Sequence, residues 1–123
     1  MATVLVADDD AATRLLVRTV LNYAGHDVLE AADACGALLR ARECTPDLIL
    51  LDLSLRGESG THVARELRAT ESTRTIPVVL YTATPMSPAV ADFMQIYGIR
   101  GAIPKPSEPH ELIAAVQAAL DGA

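Results

Sequence analysis

Three short stretches of this chain are almost wholly apolar: Thr3 to Ala7 (TVLVA), Asp47 to Leu51 (DLILL) and Ile76 to Tyr81 (IPVVLY). A run this short with no polar alternation suits a strand buried on both faces, and such a sheet has to be covered by helices on both sides. Weaker strand patterns lie at Asp27 to Ala31 (DVLEA) and Gly101 to Ile103 (GAI). Helical patterns separate all five.

In the first helical segment Thr13, Leu16, Val17, Val20, Leu21 and Ala24 share one face, and Gly25 suits its C-terminal end. The second runs from Asp33 to Glu43 with Ala34, Ala37, Leu38 and Ala41 at helical spacing, and Pro46 stops it. The third runs from about Ser59 to Ala69, with Val63 and Leu67 one turn apart. The fourth opens on Ser87 and Pro88, places Val90, Met94 and Tyr97 on a face, and ends at Gly98. In the fifth, Ser107 is the expected cap, and Leu112, Ile113, Val116, Ala119 and Leu120 form a stripe. Strands and helices that alternate through short connections imply parallel pairing and right-handed crossovers, so the expected fold is a doubly wound α/β sandwich. With 123 residues, half of them hydrophobic, residues 1–123 are expected to form one domain with no appended output module.

Lys and Arg total 10 against 16 for Asp and Glu, and a net charge of -6 disfavours a surface that holds nucleic acid. No apolar run nears the roughly 20 residues of a membrane span, and three acids follow the first strand too early for a signal peptide, so a cytoplasmic protein is expected. Cys35 and Cys44 fall in one helical segment. Roughly 13 Å of rise separates them, which excludes a disulfide and leaves them as small buried or half-buried residues. His26, His62 and His110 are scattered without metal-ligand spacing and suit surface or boundary positions. Met86 and Met94 suit a helix start and a packing role.

In sheets of this class ligands bind beyond the carboxyl ends of the strands, where strand order reverses. The first strand ends in Asp8, Asp9 and Asp10, the third in Asp52, the fourth in Thr82, and the fifth leads into Lys105. Each residue alone has a plain reading: a helix cap for Asp10, a turn-former for Asp52, a strand-end hydroxyl for Thr82, a solvated cation for Lys105. Together they offer acids, a hydroxyl and a cation to one rim. Clustered carboxylates repel one another unless they are protonated, paired or bound to a hard cation, and magnesium, which takes one or two carboxylates plus phosphate oxygens, is the natural ion. It would screen the approach of an anionic phosphoryl donor to Asp52, while Thr82 and Lys105 would contact phosphoryl oxygens.

The segments VLVADDD, PDLILLDLSL with Gly60 following, VVLYTA and PKP resemble the response-regulator receiver family in order, spacing and strand placement over essentially the whole chain. The resemblance implies a flavodoxin-like sheet of strand order 2-1-3-4-5. It implies that Asp52 accepts the phosphoryl group from a histidine kinase or phosphotransfer protein, and that the chain promotes its own phosphorylation and dephosphorylation there. Asp9 would bind Mg2+ directly, Asp8 largely through water, and Asp52 and the backbone carbonyl of Ser54 would complete the protein's ligands, with Mn2+ as an alternative ion. Thr82 would be the switch hydroxyl, Lys105 the phosphoryl-binding lysine, Ala83 the small residue beside the acceptor, and Pro106 the partner in a cis peptide that aims the lysine inward. The output would be a protein-interaction surface for a downstream protein.

Two positions depart from the family pattern: Arg56 stands where proline is usual, and Ala102 where an aromatic is usual. They keep open a degenerate receiver that serves as a phosphorylation-independent interaction module. Without a large ring at Ala102, signalling would pass through the loop of Thr82, Ala83 and Thr84 and the fourth helix, with repacking of Tyr81 or Tyr97, or through another face such as the first helix. A nucleotide-binding enzyme lacks support because VADDDAATR has no glycine to cradle phosphate. An aspartyl-phosphate phosphatase would carry a second acid two residues after the nucleophile, where Ser54 stands.

Overall fold

The computed structural model of the chain describes residues 1–55 and 58–122. Its elements run β1 (Thr3–Ala7), α1 (Ala11–Tyr23), β2 (Asp27–Ala31), α2 (Ala34–Cys44), β3 (Leu48–Leu51), β4 (Ser54–Leu55), β5 (Glu58–Ser59), α3 (Gly60–Ala69), β6 (Val78–Thr82), α4 (Pro88–Tyr97), β7 (Gly101–Pro104) and α5 (Pro109–Leu120). Five strands form one parallel sheet in the order β2-β1-β3-β6-β7, which is the doubly wound, flavodoxin-like arrangement. β4 and β5 form a small antiparallel pair that no sequence pattern announced. Arg56, one of the two departures, lies outside the described residues.

The apolar runs are buried on both faces because successive side chains of a strand point to opposite sides of the sheet. Leu5, Ala7, Ile49, Leu51, Val78 and Leu80 pack toward α2, α3 and α4, through residues such as Ala37, Val63, Leu67 and Phe93. Val4, Val6, Leu48, Leu50, Val79 and Tyr81 pack toward α1 and α5, against Val17, Leu21, Leu112 and Val116.

Local chemistry sets the helix ends. Asp10, Asp33, Ser59 and Ser87 cap α1 to α4, each accepting a backbone amide from the first turn. The cap of α5 is Glu108, not Ser107. Glu108 and Glu111 form a reciprocal capping box with Pro109 at the first helical position, and proline has no amide to lose there. Three other expectations also fail. Cys35 and Cys44 do share α2 but are exposed, because α2 turns Ala34, Ala37, Leu38 and Ala41 inward. His26 is buried, with Nδ1 accepting the Ala2 amide at 3.1 Å. Leu16 is largely exposed, since α1 buries the narrower stripe of Val17, Val20 and Leu21. Met94 packs against the core as expected, whereas Met86 stands in solvent. Among the described residues no helix is long and apolar enough to cross a membrane.

Candidate active site

β1 lies between β2 and β3, so the chain leaves β1 first to one side and later returns to pair on the other. The reversal opens a crevice at the carboxyl ends of β1 and β3, where the loops carrying Asp8 and Asp52 diverge. Their backbones remain tied to the sheet: the Asp8 amide donates to Ala31 O at 3.0 Å, and the Asp52 amide to Ala7 O at 3.0 Å.

One local device recurs at three strand ends. Asp8 Oδ1 accepts the Asp10 amide at 2.9 Å, Asp52 Oδ1 accepts the Ser54 amide at 3.1 Å, and Thr82 Oγ1 accepts the Thr84 amide at 3.2 Å. A side-chain oxygen that bonds the amide two residues on folds the chain into a tight turn and holds its own side chain over the strand end. In both aspartates this leaves Oδ2 for other work. Lys105 takes both of those oxygens, pairing with Asp8 Oδ2 and with Asp52 Oδ2, the latter at 2.8 Å.

Asp8, Asp52 and Thr82 are buried, and Asp9 is the more open acid. Oxygens of Asp8, Asp9 and Asp52 lie within 4.8 Å of one another. That set suits a hard divalent ion: all donors are carboxylate oxygens, and their number is small, as such an ion takes when it also binds water and phosphate oxygens. Burial works against the charge of Lys105, but hydrogen bonds to Asp52 and Asp8 and the charges of both outweigh it and hold its ammonium above the usual lysine range. Its Nζ also lies 5.4 Å from the centre of the Tyr81 ring. The hydroxyl of Thr13 and the amide of Ala12 hold the Asp10 carboxyl below its usual range, consistent with its role as a cap rather than a ligand.

The remaining expected residues fall around this centre. Ser54 is exposed and stands in β4, opposite Ser59. Ala83 is exposed beside Thr82, and the Lys105–Pro106 peptide is cis. The Lys105 amide donates to Thr82 O at 3.1 Å, so the β6 end and the lysine loop are joined directly. Thr82 Oγ1 also donates to Thr84 Oγ1 at 3.2 Å, and the hydroxyl is thereby engaged away from the acids. Two participants carried no sequence signal of their own. Arg14 reaches back from α1 to Asp8 O at 2.6 Å, and Glu30 in β2 pairs with Arg14 at 3.0 Å. The position of Arg14 one turn after the Asp10 cap was the one available hint.

A family model describing the response regulator receiver domain matches residues 4–117. The chain belongs to the response-regulator receiver family. This receiver is 36% identical over 118 residues to the phosphate regulon transcriptional regulatory protein PhoB of Pseudomonas aeruginosa, covering 96% of this chain and 51% of PhoB. It thus spans about half the length of the curated relatives it matches. Among solved structures it is similar to the chemotaxis protein CheY4 of Vibrio cholerae, with a TM-score of 0.90, 28% identity, and coverage of 97% of this chain and 98% of that one. It is also similar to the receiver domain of a sensor histidine kinase of Pseudomonas aeruginosa, with a TM-score of 0.87, 26% identity and 98% of each chain covered. That domain has a magnesium ion coordinated in its active-site cleft.

Proposed function

We propose that this receiver accepts a phosphoryl group on Asp52 from the phosphohistidine of a histidine kinase or phosphotransfer protein, and relays the change to a downstream protein. The observation that carries this reading is the meeting of the buried Asp52 carboxylate with two further acids and the Lys105 ammonium at the switch point of the sheet. Residues 1–123 act as one receiver unit, and its kinase partner places it in the cytoplasm. Asp9, Asp52 and the Ser54 carbonyl would hold Mg2+, with Asp8 assisting them. When bound, the ion supplies positive charge that offsets repulsion between the acids and the incoming phosphoryl group.

An Asp52 oxygen attacks phosphorus, the bond from phosphorus to the donor imidazole nitrogen breaks, and the electron pair leaves with the imidazole. Lys105 gives up its contact with Asp52 Oδ2 and follows the negative charge onto a phosphoryl oxygen. Thr82 exchanges Thr84 for another phosphoryl oxygen, and Ala83 leaves room for the group to enter. The movement of Thr82 pulls on the loop that leads to α4.

Intact-mass measurement after incubation with a small-molecule phosphodonor tests the reading. The wild type with magnesium should gain the mass of one phosphoryl group, and chelation should suppress the gain. Asp52→Asn should gain none. An adduct of undiminished yield on Asp52→Asn overturns the assignment, and an unmodified wild type returns the chain to the interaction-module reading.

A further inference from the structure

Resting on the reading that Asp9 binds magnesium, we propose that Arg14 is a positioning residue that sets the direction of the Asp9 carboxylate by clamping the Asp8–Asp9 peptide. Among the described residues none bonds the Asp9 side chain, so its aim depends on the backbone that carries it. Only Asp8, Asp9 and Asp10 lie between β1 and α1. Arg14 Nη1 donates to the Asp8 carbonyl at 2.6 Å, and the peptide that follows is planar, so fixing that oxygen also fixes the Asp9 amide.

The clamp is itself held. Arg14 Nε donates to Glu30 Oε1 at 3.0 Å, and Arg18 Nη2 meets Glu30 Oε2 at 2.8 Å. Glu30 stands beside Val6 in the β2–β1 register, so the guanidinium ties α1, β2 and the acid loop together. Only 16% of the Arg14 side chain is exposed, which restricts it to this geometry. The planar fork of arginine matches the task, since its rigidly arranged donors fix the carbonyl and the carboxylate in one relative direction, which the rotatable ammonium of a lysine does not.

Charge alone predicts the opposite outcome from positioning. Arg14 is a cation beside a cation site, so its removal should tighten magnesium binding if only charge matters. If Arg14 aims Asp9, removal should weaken it. Magnesium titrations followed by backbone amide shifts of Leu53 and Ser54 read the dissociation constant without any phosphorylation. For Arg14→Met the constant should rise about tenfold, the scale typical of residues that support metal ligands. Arg14→Lys keeps the charge and loses the fork, so it should also weaken binding, and it carries the test if Arg14→Met does not fold. Unchanged or tighter binding in a folded Arg14 variant overturns the proposal. A wild type that binds no magnesium instead defeats the parent reading of the site.

Discussion

Asp52 is legible in sequence as the acid that follows the central apolar run, but its usefulness depends on what occupies each oxygen. Oδ1 is committed to the Ser54 amide and Oδ2 to Lys105, so the carboxylate is held and partly neutralised at once. A divalent ion bound to these acids, as proposed above, would therefore compete directly with Lys105. A divalent charge about 5 Å from an ammonium, even at a water-like dielectric constant, is opposed by roughly 1.7 kcal/mol. Lys105→Met, which keeps an apolar stem near Tyr81, should therefore bind magnesium about twentyfold more tightly, while its phosphoryl adduct forms more slowly. A magnesium titration that finds equal or weaker affinity in Lys105→Met contradicts the competition.

At the scale of elements, close packing at the start of α3 shapes the loop after β3. A Cβ added to Gly60 would sit 2.2 Å from Asp52 O and 2.8 Å from Leu53 Cα, which are backbone atoms that cannot swing aside. Gly60 also donates its amide to Leu53 O at 2.8 Å, so helix and loop approach as closely as two backbones can. Gly60→Ala should cost about 1–3 kcal/mol, the range for overpacking a rigid site, and should shift the amides of Asp52 and Leu53. Urea unfolding at wild-type stability would contradict this contact. Elsewhere Arg68 ties α3 to its neighbours, donating to Tyr97 O at 2.8 Å, Arg74 O at 3.0 Å and Ile76 O at 2.7 Å. Those three carbonyls lie at the end of α4 and ahead of β6, where no regular element supplies a donor.

For the whole molecule, the site couples to stability because its acids come from both halves of the sheet. An ion that binds only the folded arrangement stabilises it by mass action, by about 2.7 kcal/mol at a hundredfold excess over the dissociation constant. The urea midpoint of the wild type should therefore climb with magnesium, and that of Asp9→Ala should climb far less at the same concentrations. Equal gains in both proteins would place the ion away from Asp9. The two core layers flank this site, as α1 and α5 cover one face of the sheet and α2, α3 and α4 the other, and Tyr81 of the first layer reaches it beside Lys105.

The amino-acid sequence by itself pointed to the sheet, since TVLVA, DLILL and IPVVLY are short runs with almost no polar residue to offer water, which suits buried strands. It also brought Asp8, Asp9, Asp52, Thr82 and Lys105 to one place, because residues that end strands in a doubly wound sheet meet at one rim. The exposed cysteines, the buried His26 and the Glu108 cap were beyond its reach: each depends on which of several equally spaced faces or neighbouring polar residues the packing selects. The Arg14–Glu30 clamp belongs to the same class. Sixteen residues separate its partners, and only the parallel pairing of β1 with β2, with α1 laid across them, brings a guanidinium, a carboxylate and the Asp8 carbonyl within hydrogen-bonding distance.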